Sequence, residues 1–343
     1  MARTDTAAVV TDNALSVAVI GAGVVGGRVA GQLASDGREV QIFDRRSDVR
    51  RSLASNPGVT EIIDLSDLDP MTTPVVVVAT TAAQADLVAA FIDHGHHVVS
   101  TSDDVDDVRR IRHFGPRAEA RGVSVVIGAA ACPGLTGLLA RELSLRVDVL
   151  DEIHVAFHGT GGPECARQHH RALAGSALGW HDGEWLSRPG GSGRDLLWFP
   201  EPIGGKDCYR ASLVDPILLH DVFPEVSRIS ARMSANRRDR LTARLPMLSP
   251  PHPEGGLGAV RVEIRGSKQG ERVTEVAGVT ERTGIIAASV ASAAAEAVLR
   301  RITSGAAPVG RILLGDEQLE NQALVDDVIR RGIPVSEYVG AES

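Results

Sequence analysis

Cysteine is scarce in this sequence, and its pattern disfavours two kinds of scaffold. The three cysteines, Cys132, Cys165 and Cys208, lie far apart, and no two of them form a C-x-x-C pair. This pattern indicates neither a disulfide framework nor a zinc knuckle. His154 and His158 share a predicted strand face, but no carboxylate or third ligand of suitable spacing accompanies them. We therefore expect no metal site.

Long apolar runs and an excess of positive charge are also lacking. No run is long enough to span a bilayer, and residues 1–15 lack the basic start and continuous apolar stretch of a signal peptide. We expect a loose tail over 1–15 and a cytoplasmic protein. The formal net charge of −8 disfavours nucleic acid and anionic membranes as partners.

What the sequence does contain is a glycine-rich turn between an apolar strand and a helix. Val17 to Ile20 form a short apolar run, and Gly21, Gly23 and Gly26 follow as G-x-G-x-x-G. In a dinucleotide-binding turn, the first glycine permits the tight turn, the second lets a pyrophosphate approach, and the third lets the helix pack on the strand. The free N–H groups at the helix start, from Val24 and Val25 onward, then face the anion. The alternative is a structural turn without a ligand, and the strand and helix around it disfavour that reading.

The second predicted strand ends in an acid at the distance expected for a ribose contact. Asp44 would accept hydrogen bonds from the ribose hydroxyls of NAD and repel the 2′-phosphate of NADP. Arg45 and Arg46 follow at once, and an arginine here can hold that phosphate. The cofactor is thus NAD or NADP, with a slight preference for NAD. The alternative for both arginines is a solvated loop.

Hydroxyl side chains end two later strands of the same pattern. They are Thr80, Thr81, Ser100 and Thr101. Ligands of open α/β sheets lie beyond the carboxyl ends of the strands, so we expect these hydroxyls to line the cofactor site. The alternative is capping of the following helices by Thr81 and Ser102.

Strand and helix signals alternate to about residue 148, which predicts six strands in a doubly wound parallel sheet. Afterwards the rhythm changes, with a predicted helix over 167–178, a glycine-rich stretch over 182–193 and a hairpin joining 260–265 to 272–279. The predicted fold class is α/β: an N-terminal Rossmann domain over 16–148, and a second α+β domain over 149–282 with a mainly antiparallel sheet. Helices in 283–343 are expected to return to the first domain.

Three stretches resemble the saccharopine dehydrogenase-like (saccharopine reductase) family. They are Val-Ile-Gly-Ala-Gly-Val-Val-Gly at 19–26, Val-Val-Val-Val-Ala-Thr-Thr at 75–81, and Gly-Ala-Ala-Ala-Cys-Pro-Gly-Leu-Thr-Gly-Leu-Leu-Ala at 128–140. The family often has an acid directly before this Pro-Gly, a position that Cys132 occupies here. The resemblance implies an NAD(P)-dependent oxidoreductase that acts on a C–N bond of an amino acid or imine.

The candidate catalytic residues are Cys132, His169, Tyr209 and Lys206, and the candidate substrate-binding residues are Arg171, Arg210 and Thr160. Cys132 ends the sixth predicted strand, near the expected nicotinamide; its alternative is a small buried residue. The glycine-rich loop around Thr160 precedes a basic helix, in which Arg171 would anchor a carboxylate and His169 would act as acid–base. A solvated basic helix is equally compatible with the sequence.

The candidates in the stretch 206–210 rest on residue type alone. Lys206 is one of two lysines in an arginine-biased chain, but Lys268, in a predicted turn, needs no function. Tyr209 and Arg210 would supply a proton and a carboxylate contact; the alternative for Tyr209 is a local hydrogen bond.

Three functions remain open from the sequence. The first is an NAD(P)-dependent oxidoreductase for a small amino- or imino-acid-like substrate held between two domains. The second is a redox-neutral enzyme with tightly bound NAD, an epimerase or cyclase, and the third is a non-catalytic dinucleotide-binding regulator. We also expect a homodimer formed through the second-domain sheet.

Overall fold

The computed structural model describes residues 15–81, 83–247 and 251–338. Apart from residue 15, the tail predicted over 1–15 lies outside the described residues, as do the last five residues of the predicted C-terminal segment. The described chain forms two sheets, one parallel and one mixed, with helices around and between them.

The first sheet is parallel throughout and has seven strands in the order β15-β6-β5-β4-β1-β2-β3. Its strands are β1 (Val17–Ile20), β2 (Val40–Phe43), β3 (Val59–Glu61), β4 (Val75–Val78), β5 (His97–Ser100), β6 (Ser124–Ile127) and β15 (Gly310–Leu313). The central strands β1, β4 and β5 are buried at every position, as expected for a sheet covered on both faces. The predicted Rossmann class is confirmed, with β15 added beyond the six predicted strands.

Helices connect and cover these strands. They are α1 (Val24–Ser35), α2 (Ser47–Leu53), α3 (Ala85–Asp93), α4 (Val105–Ile111), α5 (Gly115–Arg121) and α6 (Leu135–Ser144). No described helix is both long enough and apolar enough to cross a membrane.

The second sheet is mixed but mostly antiparallel, as predicted; among its described strands, only β7 and β12 pair in parallel. Its strands are β7 (Val149–His158), β8 (Ser176–His181), β9 (Glu184–Pro189), β10 (Asp195–Phe199), β11 (Gly204–Arg210), β12 (Arg228–Ser234), β13 (Leu257–Lys268), β14 (Glu271–Arg282) and β16 (Val335–Tyr338). The predicted hairpin is confirmed as β13 and β14, each longer than expected.

The helix predicted over 167–178 is too long. It is α7 (Pro163–Ala172), and the residues after Gly175 belong to β8 because they pair with β9 and with β12. The glycine-rich stretch predicted over 182–193 contains β9. Two short helices complete this part: α8 (Asp215–Val222) and α9 (Arg237–Thr242).

A long alanine-rich helix, α10 (Thr283–Thr303), packs against α1 and also contacts strands of both sheets. Almost every position of its first five turns is buried, so small side chains are required all round. Arg38, which follows α1, forms a buried bidentate ion pair with Glu296 of α10, with Nε and Nη2 each 2.9 Å from a carboxylate oxygen. The chain then forms β15 and α11 (Asn321–Arg330), which packs on α10 and α6.

Candidate functional site

The glycine-rich turn is closed at its ends and open in its middle. Gly21 has φ +103°, and a Cβ there would lie 2.7 Å from the carbonyl oxygen of Ala79. A Cβ at Gly26 would overlap the carbonyl oxygen of Gly21, whereas a Cβ at Gly23 would meet no atom of the described residues within 4 Å. The start of α1 also has no side-chain cap. The turn therefore presents free N–H groups beside an open space that suits a pyrophosphate.

Asp44 lies directly beside this turn. Its Oδ2 accepts the N–H of Ala22 at 2.8 Å, and its Oδ1 accepts the backbone N–H and the Nε of Arg46 at 2.9 and 3.0 Å. The Arg46 guanidinium holds the pKa of this carboxyl well below its usual range. Asp44 is thus an ionised acceptor at the edge of the open space, while Arg45 is exposed.

The strand-end hydroxyls divide into two groups. Thr80, Thr81 and Thr101 line a cavity at the carboxyl ends of β4 and β5. Ser100 is fully buried and instead donates to Oε1 of Gln84 at 2.8 Å, so it lies behind the cavity wall. The same glutamine donates to the carbonyl of Thr80 and to Oγ1 of Thr101, at 3.0 and 3.3 Å. Ser100 therefore supports the wall from behind.

The capping of α3 comes from Asp107, a residue of α4, and involves neither Thr81 nor Ser102 directly. Its two carboxylate oxygens accept the backbone N–H groups of Gln84 and Ala85, each at 2.8 Å. Ser102 donates to this same carboxylate at 2.7 Å. This buried carboxylate fixes the loop after β4. The start of α4 is capped by Asp104, whose Oδ1 accepts the backbone N–H groups of Asp106 and Asp107 at 3.1 and 3.0 Å, so neither Thr81 nor Ser102 is the cap.

The cavity lies between the two domains and has a volume of about 270 Å³. On the first-domain side it is lined by Val25, the three threonines and Cys132, and on the second-domain side by Cys165, His169 and Arg171. A larger neighbouring cavity of about 660 Å³ is lined by Thr160, Lys206 and again His169. His169 therefore contacts both spaces.

His169 is 6% exposed and is held by three neighbours. Its ring packs edge-on against Phe157 with centroids 5.1 Å apart, and its Nε2 lies 3.6 Å from Oδ2 of Asp103 and 3.7 Å from Sγ of Cys165. Burial acts to lower the pKa of His169, but Cys165 and Asp103 together raise it well above the usual value. The two neighbours therefore favour the protonated ring.

Asp103, Cys165 and His169 also form a possible ligand set for a metal ion, the one such group among the residues that the structure describes. One ligand atom from each lies within 4.8 Å of the others. Gln168 donates to Oδ1 of Asp103 at 2.9 Å, and the N–H of Gly161 donates to Sγ of Cys165 at 3.2 Å. The absence of a metal site remains a prediction from the sequence.

Cys132 lines the cavity, but its thiol is hydrogen-bonded to the buried carboxyl group of Asp215. Sγ donates to Oδ2 of Asp215 at 2.9 Å, and Thr136 donates to Oδ1 of the same carboxylate at 2.7 Å. Burial raises the pKa of Cys132 well above its usual value, and burial also raises the pKa of Asp215. Cys132 is therefore a protonated hydrogen-bond donor, a state that does not suit a nucleophile.

Two of the predicted catalytic and substrate-binding residues lie away from both cavities. Tyr209 is 4% exposed, and its ring lies 4.0 Å from the guanidinium carbon of Arg240. The guanidinium of Arg210 packs against Gly193. Neither side chain lines the spaces around His169. The assignments of Tyr209 to proton transfer and of Arg210 to substrate binding stay predictions from the sequence.

Sequence reasoning missed Asp103 and Cys165. Two signals point to them: Asp103 follows the carboxyl end of β5, and Cys165 and His169 are four residues apart on one face of α7. Their meeting across 62 residues, from Asp103 to Cys165, depends on the packing of α7 against the first domain.

The second domain also closes over the start of α1. A Cβ at Gly162 or at Gly284 would lie 3.0 or 2.8 Å from a methyl carbon of Val24. Arg28 of α1 forms an ion pair of 2.8 Å with Glu254. The glycine-rich loop before α7 is thus packed directly onto α1, the helix that follows the glycine-rich turn.

Residues 21–127 match the family model described as the NAD-binding domain of homoserine dehydrogenase. No curated protein matches the chain in sequence. Among solved structures, apo saccharopine dehydrogenase (L-Glu forming) from Saccharomyces cerevisiae is similar, with a TM-score of 0.67 and 16% identity over 95% of this chain and 100% of that chain. The chain has a saccharopine dehydrogenase-like fold.

Two other amino acid dehydrogenases share this fold with the chain. DAP dehydrogenase from C. glutamicum, in complex with DAP, has a TM-score of 0.53 and 15% identity over 93% of this chain and 99% of that chain. An engineered D-amino acid dehydrogenase bound to NADP+ has a TM-score of 0.53 and 16% identity over 92% and 99%. The chain thus shares its fold with these three dehydrogenases.

Proposed function

We propose that the protein is an NAD(P)-dependent oxidoreductase that acts on a C–N bond of a small amino-acid-like substrate. One observation carries the proposal: a cavity between the domains has strand-end threonines on one side and His169 and Arg171 on the other. Ligands of doubly wound sheets bind at this end of the strands. The nearby proton donor and guanidinium then supply what an imine or amino acid substrate needs.

The residues around the glycine turn fit a dinucleotide. The space open at Gly23 and the uncapped start of α1 would hold its pyrophosphate, and Asp44 would hold a ribose. Such a cofactor, when bound, gives or accepts a hydride. Asp44 favours NAD over NADP because its ionised carboxylate repels a 2′-phosphate.

On the substrate side, Arg171 and His169 have separate tasks. Arg171 is exposed at the cavity and would bind the substrate carboxylate as a bidentate partner. Protonated His169 would donate its proton to the nitrogen of a C=N bond while the carbon receives the hydride. The raised pKa of His169 favours the reductive direction at neutral pH and amine oxidation at higher pH.

The similar structures support a substrate of this kind. The three described above are named as dehydrogenases of saccharopine, DAP and D-amino acids. A cavity of about 270 Å³ suits a small molecule of this class. The homodimer and the cytoplasmic location remain predictions from the sequence.

The test is the reduction of 2-oxo acids with ammonia or a primary amine, followed at the NAD(P)H absorbance. We expect turnover for one cofactor and its loss at high pH. The chain offers a matched pair of lysines: Lys206 lines the larger cavity and Lys268 lies on the exposed β13–β14 hairpin. Lys206→Gln should raise KM if the substrate extends into that cavity, whereas Lys268→Gln should change neither kcat nor KM.

Two outcomes would reject this function. Cofactor binding without any turnover of amines, imines or oxo acids would favour the non-catalytic regulator. Cofactor that stays bound through purification, with turnover of a substrate and no net NAD(P)H change, would favour the redox-neutral enzyme.

A further inference from the structure

Helix α7 contributes side chains to both cavities of the site. Cys165 lines the smaller one, of about 270 Å³, whereas Ala166 and Leu173 line the larger one, of about 660 Å³. Among the described residues, His169 alone lines both, and Arg171 lines the smaller one. A substrate atom beside His169 is therefore next to both cavities, while a group bound to Arg171 lies in the smaller one.

Most of the surface that lines the larger cavity is apolar. The apolar side chains come from α7, from β10, from the end of β12 and from the segment after α9; they are Ala166, Leu173, Leu196, Met233, Ala235 and Met247. Methionine side chains are unbranched and adapt to the shape of an apolar ligand. Such a lining favours a flexible hydrocarbon group, because its burial is stabilising without any precise hydrogen bond.

Several polar side chains around the larger cavity are already bound to other parts of the protein. Nδ1 of His158 lies 2.7 Å from Oγ of Ser234, and Nε2 of His170 donates to a backbone carbonyl at 2.9 Å. Oδ1 of Asp207 lies 2.9 Å from Nε of Arg194. A ligand gains little from these occupied groups, so the apolar side chains decide what the cavity binds.

We propose that the substrate is an N-alkyl amino acid, a secondary amine whose alkyl group is bound by the larger cavity. The inference rests on the proposed function for two placements, the nitrogen beside His169 and the carboxylate at Arg171. Because the carboxylate then lies in the smaller cavity, the second substituent of the nitrogen extends past His169 into the larger one. The apolar lining selects an alkyl chain for this substituent.

In the reductive direction, the reaction joins a short 2-oxo acid to an apolar primary amine. The amine nitrogen replaces the oxo oxygen, which leaves as water, and a C=N bond forms. The carbon then receives a hydride from NAD(P)H, and the nitrogen receives a proton. The products are the secondary amine, NAD(P)+ and water, so the reaction balances without another reductant.

The first experiment needs no turnover. Methionine methyl groups are labelled with carbon-13, and the protein is titrated with N-hexylalanine while their NMR signals are followed. Met233 and Met247 line the larger cavity, whereas Met71 is exposed in the first domain. We expect the signals of Met233 and Met247, assigned with Met233→Leu and Met247→Leu, to shift, and that of Met71 to stay.

The short-chain analogue N-methylalanine is the matched control for this titration. It carries the same carboxylate and the same secondary nitrogen but has no chain to place in the larger cavity, so it should shift neither Met233 nor Met247. If N-hexylalanine left both signals unchanged, the proposal would be overturned.

The second experiment measures turnover of pyruvate and NAD(P)H with a series of amines. From methylamine to hexylamine, kcat/KM should rise by about fourfold for each added methylene that is buried. Met247→Gln should lower kcat/KM for hexylamine at least about threefold and leave that for methylamine unchanged. Met71→Gln should change neither value, because Met71 is exposed and lies outside the cavity lining.

Lys206 and Asp239 also line the larger cavity, so a charged chain is the competing case. A preference for 6-aminohexanoate over hexylamine would overturn the apolar chain, and a preference for 2-oxooctanoate with ammonia would overturn its attachment to nitrogen. Turnover with ammonia that no alkylamine exceeds would overturn the proposal and leave the proposed function intact. Shifts at Met233 and Met247 without turnover of any amine would support the binding of the alkyl group and reject the proposed function.

Discussion

The two walls of the interdomain cavity carry different kinds of side chain. The first-domain wall includes Thr80, Thr81 and Thr101, and the side chain of Gln84 fixes its shape through hydrogen bonds. The second-domain wall carries His169 and Arg171, the groups proposed for proton transfer and for binding the substrate carboxylate. Binding should therefore depend on shape at the first wall, and turnover on charge at the second. Substitutions that separate affinity from rate test this division.

The largest effect is expected where shape is most constrained. In Gly26→Ala the new Cβ would overlap the carbonyl oxygen of Gly21, so either the turn or the packing of α1 on β1 must change. We expect a loss of more than about 100-fold in cofactor affinity and about 3 kcal/mol or more in the free energy of unfolding. Calorimetry and thermal unfolding measure the two losses.

Two other glycines of the same stretch serve as controls for Gly26→Ala. In the part of the chain that the structure describes, a Cβ at Gly23 meets no atom within 4 Å, so Gly23→Ala should fold normally and lose cofactor affinity alone. Gly31→Ala, which is equally unobstructed but lies farther along α1, should bind cofactor as the wild type does. A folded Gly26→Ala protein with wild-type affinity would show that the turn does not hold the cofactor.

The second wall should respond in rate and leave affinity intact. His169→Gln keeps a polar side chain of similar length but removes the titrating group. We expect kcat for imine reduction to fall by about 10² to 10⁴, the usual contribution of a positioned proton donor. The Kd for cofactor, measured by fluorescence titration, should change less than about twofold because His169 belongs to the opposite wall. A matched loss of affinity would break the division between the walls.

The stability of the first domain should also depend on pH, because it contains a buried histidine. His97 of β5 is buried, and the Ser124 N–H donates to its Nδ1 at 3.1 Å, so the fold requires the neutral ring. Burial lowers the pKa of His97 from 6.5 to about 4. The unfolded chain binds this proton more readily than the folded protein does. The contribution of His97 to the free energy of unfolding is therefore complete above pH 6.5 and is lost as pH falls towards 4. Its full size is about 3 kcal/mol.

The variant His97→Gln tests whether His97 causes this loss of stability between pH 6.5 and 4. The glutamine oxygen can still accept the Ser124 N–H without titrating, so the unfolding free energy of the variant should fall less steeply between pH 6.5 and 4. Chemical denaturation at a series of pH values measures the slopes. His113→Gln, at an exposed position, is the control and should follow the wild type. If the unfolding free energies of His97→Gln and the wild type had the same slope against pH, other groups would cause the loss of stability.

The two domains also differ in how far the sequence predicts them. The parallel strands are apolar at nearly every position because both faces are covered, so runs such as Val75–Val78 stand out. Strand β9 is mostly exposed, and its residues show no clear period, so nothing local marks it. Strand β15 has only four residues and joins the parallel sheet after the long helix α10. Its place depends on tertiary packing.

The candidate site divides in the same way. The glycine turn and Asp44 are predictable because backbone geometry sets their spacing. The cluster of Asp103, Cys165 and His169 is not, because it joins the end of β5 to a helix of the other domain. The burial of Ser100 and the hydrogen bond of Cys132 to Asp215 also arise only in three dimensions. Shape is local in this sequence, whereas the reactive chemistry is assembled at long range.

The smallest effect is expected from replacing Asp44, a charged side chain of the first domain. Asp44→Ala removes the acceptor proposed for the ribose hydroxyls, so NAD should bind about 10- to 100-fold more weakly. NADP should bind more tightly than to the wild type, because the repulsion of its 2′-phosphate is gone while Arg45 and Arg46 remain. Calorimetric titration with both nucleotides gives the two affinities. Asp48→Ala, in the exposed first turn of α2, is the matched control and should leave both unchanged. A wild type that already prefers NADP, and loses that preference in Arg45→Ala, would assign the selection of the cofactor to the arginines rather than to the acid.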